Sequence, residues 1–354
     1  MISFENDYSE GCHPKILEAL VRTNLEQLPG YGADKYTASA ADKIRAAVGL
    51  PEAQVCLLNG GTMVNQLIID TMLRPYEGVL SADTGHINTH EAGAIEFTGH
   101  KVLALPSDQG KVRARDVRDF LRTFYQDGNH EHMVFPGMLY ISHPTEYGTL
   151  YTKGELQALS EVCREYRIPL YLDGARLGYG LAARGTDVSL RDIAAAADVF
   201  YIGGTKVGTL SGEAVIFTRR NMPERFLTQV KRHGDLAAKG RLLGVQFDTL
   251  FTDGLYFQLG EHAIRMAERL KAVFRDRGYA FYLDSPTNQQ FLIVANDVLE
   301  KLRERVRFAY WEPYDDAHAV VRFATSWATT EARIRELAAI LDEIRPSPAE
   351  RPGE

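Results

Sequence analysis

The feature that most constrains the fold is an alternation of short apolar runs with longer amphipathic segments between residues 50 and 220. The apolar runs are rich in Val, Ile, Leu and Tyr and lack strict alternation, which is typical of strands buried on both faces. We predict an α/β fold in which a mostly parallel sheet is flanked by helices. Strands are predicted at residues 55–58, 102–105, 138–142, 169–172, 199–202 and 214–218. Helices are predicted at residues 63–73, 112–124, 153–167 and 190–197.

The pattern changes after about residue 220 and predicts a smaller α+β domain. Helices are predicted at residues 222–250, 256–277, 298–305 and 331–344, and strands at residues 291–295 and 320–324. We therefore predict a large domain over residues 1–241 and a small C-terminal domain over residues 242–345. Residues 346–354 hold three prolines and several charges, which predicts a disordered tail.

Composition excludes several classes of protein. The 354 residues include 40 basic and 47 acidic side chains, so the chain lacks the cationic excess of a nucleic-acid-binding protein. No run reaches the roughly 18 apolar residues that a membrane span needs. The three cysteines are widely spaced, which predicts a reducing compartment and neither a disulfide framework nor a metal site. These features predict a cytoplasmic protein that binds neither nucleic acid nor membrane.

The segment Asn-Gly-Gly-Thr at residues 59–62 lies between a predicted strand and a predicted helix. Free N–H groups at a helix N-terminus attract anions, and Gly60 and Gly61 would let a ligand approach the backbone closely. The hydroxyl of Thr62 could add a hydrogen bond. Alternatively, the segment is a plain tight turn with Thr62 as the helix cap. No lysine follows the glycines, which disfavours nucleotide hydrolysis.

Three charged side chains lie within four residues of the end of a predicted strand. Asp173 directly follows the run at residues 169–172, and open α/β sheets bind ligands at such carboxyl ends. Arg176 could bind a carboxylate or phosphate, or could instead pair with Asp173. Lys206 follows the run at residues 199–202 between glycines, where a partly desolvated amine can act as a Schiff-base nucleophile. The neighbouring Thr205 could bind an anion.

Two further candidates carry less distinctive patterns. His86 follows an apolar stretch and could stack on a flat ring or exchange a proton, although a structural histidine is the alternative. His90, four residues later, is the alternative histidine for the same role. Arg322 lies within a predicted strand of the small domain, where it either points to solvent or binds an anion at the domain cleft.

Together these residues match the requirements of pyridoxal 5′-phosphate. This cofactor needs a lysine for covalent attachment, an aspartate for its ring nitrogen, a phosphate site and a contact with its ring face. Lys206, Asp173, the segment 59–62 and His86 could supply all four. A nicotinamide dehydrogenase is disfavoured because no GxGxxG motif follows an early strand.

From about residue 4 to residue 344, the chain resembles the L-threonine aldolase and aromatic amino acid β-eliminating lyase family, which has fold type I of the pyridoxal-phosphate enzymes. The resemblance is carried by Gly61-Thr62-Met63 with Asn65, His86 with Glu91-Ala92-Gly93-Ala94, Asp173-Gly174-Ala175-Arg176, Thr205-Lys206 and Val321-Arg322. It implies that Lys206 binds the cofactor covalently, that Asp173 pairs with its ring nitrogen and that His86 stacks on its ring.

The resemblance also implies three sets of site residues. The implied catalytic residues are Lys206, His86 and Asp173. The implied cofactor-binding residues are Gly60, Gly61, Thr62, His86, Asp173, Arg176, Thr205 and Lys206. The implied substrate-binding residues are Asn6, Tyr31, His132, Arg176 and Arg322, with both arginines on the substrate carboxylate.

The implied reaction is retro-aldol cleavage of a β-hydroxy-α-amino acid, such as L-threonine, L-allo-threonine or β-phenylserine, to glycine and an aldehyde. A β-eliminating amino-acid lyase and a catalytically silent protein of the same fold are the alternatives. The resemblance further implies a homodimer or homotetramer with shared active sites, in which Tyr31 reaches towards the neighbouring subunit.

Three departures from the family pattern bear on the choice of substrate. Asn6 stands where the family usually has a serine, and Gly204-Thr205 replaces Leu-Ser before the lysine. The segment His143-Pro144-Thr145-Glu146 replaces the common Glu-Asn-Thr-His. These changes keep the cofactor chemistry and affect the region expected to meet the β-substituent.

Overall fold

The computed structural model describes residues 1–344, and the tail predicted at residues 346–354 lies outside them. The strands in chain order are β1 (Ile2–Ser3), β2 (Gln54–Leu58), β3 (Glu77–Ala82), β4 (Val102–Leu105), β5 (Phe135–Ser142), β6 (Leu170–Asp173), β7 (Val199–Gly203), β8 (Glu213–Phe217), β9 (Ala280–Leu283), β10 (Gln289–Ala295), β11 (Val306–Arg307), β12 (Ala309–Pro313) and β13 (His318–Ala324). The α-helices are α1 (Pro14–Thr23), α2 (Lys35–Val48), α3 (Gly61–Met72), α4 (His86–Thr89), α5 (Ala94–Phe97), α6 (Ala114–Gln126), α7 (Lys153–Tyr166), α8 (Leu177–Ala182), α9 (Leu190–Ala196), α10 (Phe226–Arg232), α11 (Arg241–Leu250), α12 (Leu255–Arg275), α13 (Asn296–Arg303) and α14 (Glu331–Ile344).

The central sheet has seven strands in the order β2-β8-β7-β6-β5-β3-β4. In this sheet β8 runs opposite to the other six strands and pairs antiparallel with β2 and β7, so the predicted α/β fold with a mostly parallel sheet is confirmed. Strand β3 is not among the predicted strands, because its short run mixes Glu77, Gly78 and Ser81 with apolar residues. It forms a strand because its backbone pairs with β4 on one side and with β5 on the other.

Helices cover both faces of the central sheet. Successive side chains of a strand point to opposite faces, and β5 shows this directly. Leu139 and Ile141 pack into a cluster with α7, α8 and α9, whereas Met138 and Tyr140 pack into another with α3 and α10. The sheet is therefore buried between two apolar layers, which explains why its strands lack a polar alternation.

The C-terminal region builds a second, antiparallel sheet in the order β12-β13-β10-β9. Helices α12 and α14 cover it through residues such as Phe274 and Leu337, which confirms the smaller α+β region. Ile2 and Phe4 also join this apolar cluster, because β1 pairs with β11. The domain boundary at residue 241 stays a prediction. In the described part of the chain, no helix is both long enough and apolar enough to cross a bilayer.

The single helix predicted at residues 222–250 is wrong, because α10 and α11 are separated by a loop over residues 233–240. Gly234 adopts a left-handed conformation, with φ of +83°. The N–H of Gly234 bonds to the carbonyl of Lys231, and the N–H of Asp235 bonds to that of Val230. This Schellman arrangement ends the helix. It also sends Asp235 to the end of β2, where its carboxylate accepts hydrogen bonds from Asn59.

Candidate active site

The carboxyl ends of β2, β5, β6 and β7 and the amino end of β8 meet at one edge of the central sheet. A cleft with about 740 Å³ of empty space opens there, which we call the inner cleft. Its lining includes the following site residues named in the sequence analysis: Gly60, Gly61, Thr62, His86, Asp173, Arg176, Thr205 and Lys206. Adjacent parallel strands bring together side chains that are far apart in the sequence.

Asp173, at the end of β6, is 4% exposed and is surrounded by hydrogen-bond donors. Burial by itself raises the pKa of this carboxyl, but the nearby His86 and the hydrogen bonds outweigh burial, and the pKa is lowered. The side chain is therefore a carboxylate that can hold a protonated nitrogen. Its donors are Tyr201 Oη (2.5 Å), Tyr140 Oη (2.7 Å), the Ala175 N–H (2.9 Å) and Asn65 Nδ2 (3.1 Å).

Glu91 and Asn65 connect Asp173 to His86. Glu91 Oε1 lies 2.7 Å from His86 Nδ1 and accepts a 2.7 Å hydrogen bond from Asn65 Nδ2. Tyr171 Oη donates to Asn65 Oδ1 at 2.6 Å, which fixes the orientation of the amide. The network orients the imidazole at the cleft. Glu91 and Asn65 belong to the motifs that carry the family resemblance, but no role was predicted for them, because their contacts join separate elements.

Lys206 follows β7 and lines the inner cleft. Its loop is held by Tyr179 Oη, which donates to the Lys206 carbonyl. Burial lowers the pKa of the amine, and the positive charge of Arg176 lowers it further, against the opposing effect of Asp7. A lysine with a lowered pKa is a better nucleophile at neutral pH than an exposed one.

The segment at residues 59–62 leaves backbone donors free at the start of α3. Gly60 is the N-cap and makes no side-chain capping bond, and Thr62 lies within the first turn rather than acting as the cap. The first N–H groups of a helix have no partner inside the helix, so they can bind an anion. A Cβ on Gly60 would meet no atom within 4 Å, and one on Gly61 would lie 3.1 Å from Tyr201 Oη.

Glu213 is a site residue that the sequence analysis missed. It begins β8 opposite Leu58 of β2 and Gly203 of β7. Its Oε1 accepts a 2.7 Å hydrogen bond from Thr205 Oγ1, and its Oε2 accepts one from the Gly204 N–H at 3.0 Å. Burial raises the pKa of this carboxyl to about 8. The one signal in the sequence was an acidic residue at the head of an apolar run.

Arg176 pairs with Asp7 rather than with Asp173. Arg176 Nε lies 2.7 Å from Asp7 Oδ2, and Nη2 lies 3.0 Å from Oδ1. Asn288 Nδ2 donates to the same carboxylate at 2.9 Å. Burial opposes ionisation of Asp7, but Arg176 outweighs burial and holds the pKa at about 2. The guanidinium therefore reaches the cleft already neutralised.

A second cavity continues from the inner cleft towards the antiparallel sheet, and we call it the outer cavity. It holds about 1100 Å³ of empty space and ends at Arg322 and Trp311. Arg322 donates to Gln289 Oε1 at 3.1 Å and to the Glu5 carbonyl at 3.2 Å, and burial lowers its pKa to about 10. Its guanidinium lies 5.4 Å from the Trp311 ring centroid. Within residues 1–344, no carboxylate lies at ion-pair distance from Arg322, so its charge is available to an anion.

Three candidates from the sequence do not line either cavity of this chain. Asn6 Oδ1 accepts a hydrogen bond from the Tyr8 N–H at 3.0 Å. Tyr31 is half exposed and lies beneath the Lys231 ammonium. His132 is exposed in the turn before β5. Since β5 has eight residues, His132 lies about 26 Å from the carboxyl end of this strand. Their roles stay predictions.

The inner cleft fits pyridoxal 5′-phosphate by the chemistry of its donors. A buried carboxylate, a desolvated amine, free helix N–H groups and an oriented imidazole face one space. These are the groups that the cofactor's ring nitrogen, aldehyde, phosphate and ring face require. Among the described residues, no group of three or more His, Cys, Asp or Glu side chains is arranged to hold a metal ion.

Comparison with known proteins agrees with this geometry. A family model described as beta-eliminating lyase matches residues 8–297. A low specificity L-threonine aldolase from Pseudomonas sp. (strain NCIMB 10558) is 33% identical over 340 residues, which cover 95% of this chain and 96% of that protein. The structure of Leishmania major threonine aldolase is 42% identical with a TM-score of 0.93, over 97% of this chain and 99% of that chain.

The fold extends to more distant enzymes. A variant of Thermus thermophilus aspartate aminotransferase is 14% identical, with a TM-score of 0.70 over 97% of this chain and 96% of that chain. That likeness concerns the fold alone. The matches confirm the resemblance and the fold type I architecture expected from the sequence. The chain belongs to the β-eliminating lyase family.

Proposed function

We propose that this protein is a pyridoxal-phosphate-dependent lyase that cleaves a β-hydroxy-α-amino acid to glycine and an aldehyde. The observation that carries the proposal is the inner cleft, which both Asp173 and Lys206 line. The threonine aldolases from Pseudomonas sp. and Leishmania major match nearly the whole chain and support the same reaction.

The cofactor, when bound, supplies an electron-accepting ring for the electron pair left at the substrate's Cα. Lys206 would hold the cofactor aldehyde and release it to the substrate amine. Asp173 would keep a proton on the ring nitrogen, because its carboxylate is already surrounded by donors. The N–H groups at residues 61 and 62 would bind the phosphate.

The two arginines would take different parts in substrate binding. Arg322 would bind the α-carboxylate, because its guanidinium has two neutral acceptors and no carboxylate partner among the described residues. Arg176 would line the cleft but attract an anion less strongly than Arg322 does, since the Asp7 carboxylate already pairs with the Arg176 guanidinium. His86, oriented by Glu91, would stack on the cofactor ring and lie near the β-hydroxyl.

We also propose a homodimer or homotetramer whose active sites are shared between subunits. Support comes from exposed apolar residues on one side of α1 and its C-terminal end, namely Leu17, Val21 and Leu25, which recur every four residues. Exposed apolar patches of this kind mark protein interfaces. Tyr31 lies on the surface, where a neighbouring subunit could reach it. Light scattering coupled to size-exclusion chromatography measures the assembly, and a monomer would contradict the proposal.

Product analysis tests the reaction. Purified protein loaded with the cofactor is incubated with L-threonine, L-allo-threonine or β-phenylserine. We expect glycine and the matching aldehyde in equal amounts. Ammonia and a 2-oxo acid would instead identify a β-eliminating lyase, and no product from any of the three would indicate a silent protein. Lys206→Ala should lose both the activity and the visible absorption band of the covalently bound cofactor.

A further inference from the structure

Glu146 lies at the junction of the inner cleft and the outer cavity. Four residues line both spaces: His86, Glu146, Arg176 and Lys206. Three of them already have partners or roles, since Asp7 pairs with Arg176, Glu91 contacts His86, and Lys206 is assigned to the cofactor. Glu146 is the acidic member of the four, and no role has yet been assigned to it.

The position of the Glu146 carboxyl is well defined. It follows β5 and is 9% exposed. Ser142 Oγ donates to Glu146 Oε1 at 2.6 Å, and the His86 N–H donates to the same oxygen at 3.0 Å. The carboxyl is thus tied both to its own strand and to the segment that carries the imidazole. Since Glu146 and Lys206 line both spaces and Arg322 lines the outer one, a substrate that reaches from Lys206 to Arg322 crosses the junction where Glu146 lies.

The surroundings of Glu146 make it a stronger base than an exposed glutamate. Burial raises its pKa, the hydrogen bond from Ser142 opposes this, and the Asp173 carboxylate raises the pKa again. A base is most effective in catalysis when its pKa approaches the working pH. The charged and titratable groups around it are His86, Asp173, Lys206 and Arg176, with the phenols Tyr140, Tyr147 and Tyr151.

We propose that Glu146 accepts the proton of the substrate's β-hydroxyl as the Cα–Cβ bond breaks, an inference that rests on the proposed function. The O–H bond breaks, and its electron pair forms the carbonyl of the aldehyde. The electron pair of the Cα–Cβ bond stays on the glycine fragment. The proton moves to Glu146 and passes to solvent after the aldehyde leaves. His132, which the resemblance implies as a substrate-binding residue, lies at the other end of β5.

Glu146→Gln tests this role. Glutamine keeps an oxygen that can accept from Ser142 and His86, but it does not take up the proton. We expect kcat for cleavage of the β-hydroxy amino acid to fall by about 100-fold or more, with KM changed far less. Exchange of the glycine α-hydrogen with D₂O involves no β-hydroxyl, so it should stay within about threefold of the wild-type rate. The cofactor absorption should be unchanged.

Glu161→Gln is the matched control, because Glu161 lies on the exposed side of α7. It should leave cleavage and exchange at wild-type rates. Glu146→Asp should recover part of the cleavage lost in Glu146→Gln, since it restores a carboxyl group. The titration of Glu146 should also disappear from the pH profile of kcat in Glu146→Gln.

Two results would overturn the role of Glu146 alone. One is a Glu146→Gln variant that cleaves within about threefold of the wild-type rate. The other is a variant that loses exchange and cleavage in the same proportion, as expected of a purely structural residue. If the wild-type enzyme forms no glycine and aldehyde, the proposed function fails first and the role of Glu146 fails with it.

Discussion

The guanidinium of Arg176 is bound by the buried carboxylate of Asp7 through two hydrogen bonds of 2.7 and 3.0 Å. This pair joins the N-terminal segment to the edge of the central sheet, although its members are separated by 169 positions in the chain. Among residues 1–344, Arg322 is then the arginine of the outer cavity that has no carboxylate partner. Arg176 and Arg322, both of which the resemblance places on the substrate carboxylate, therefore differ in what they can bind.

Asp7→Asn should destabilise the protein strongly. Removing one member of a buried ion pair leaves the other charge without a partner, which typically costs about 3–5 kcal/mol. The free energy of unfolding, measured by urea titration of the cofactor-loaded enzyme, should fall by this order. A loss below about 1 kcal/mol would show that the pair is not a stabilising feature.

Arg322→Ala should weaken substrate binding while leaving the cofactor in place. The variant removes the guanidinium that no carboxylate neutralises among the described residues. We expect KM for the amino acid to rise by about 10- to 100-fold, because a charged hydrogen-bonded contact of about 1.5–3 kcal/mol is lost. Steady-state kinetics measures KM, and the cofactor absorption serves as the control. An unchanged KM would assign the carboxylate to another group.

Glu213→Gln should reduce the dependence of stability on pH. Burial raises the pKa of Glu213 to about 8, from an ordinary value of 4.5. The folded state therefore holds the proton more tightly than the unfolded state. Its contribution to stability is complete below the ordinary pKa and is lost as the pH rises towards about 8, by at most about 1.4 kcal/mol per pH unit.

Urea titrations at about pH 6 and about pH 8 measure this contribution, since both pH values lie above the ordinary pKa of Glu213 and do not exceed its pKa in the folded chain. The wild-type protein should lose more stability between the two values than Glu213→Gln does. Equal losses in the two proteins would mean that Glu213 titrates normally in the folded chain.

Asp173→Asn should bind the cofactor yet react slowly. The amide keeps the shape of the side chain but cannot hold the cofactor's ring nitrogen in its protonated form. We expect kcat to fall by about 100-fold or more, since a charge-stabilising group at the reacting system is lost. Tyr201→Phe is the graded comparison, because it removes one of four hydrogen bonds to the same carboxylate and should have a smaller effect. If Tyr201→Phe lowered kcat as much as Asp173→Asn does, the assignment of Asp173 to the cofactor's ring nitrogen would be contradicted.

Much of the fold could be read from local patterns. Buried strands produce apolar runs and helices produce amphipathic segments, so β2 and β4 to β8 lay close to their predicted places. The pattern failed at β3, whose mixed residues pair only because β4 and β5 lie on either side. It failed again at residues 222–250, where the apolar periodicity continues but the left-handed Gly234 ends α10.

The same division holds at the active site. The sequence alone singled out Lys206 and Asp173, because each follows a buried strand and a parallel sheet brings such ends to one edge. It could not show that Asp7 neutralises Arg176, that Glu213 holds Thr205, or that Glu146 lies between two cavities. Those facts depend on hydrogen bonds and burial between segments that the chain keeps far apart. Strand ends are encoded locally, whereas the partner and the pKa of each charged group are decided by the tertiary structure.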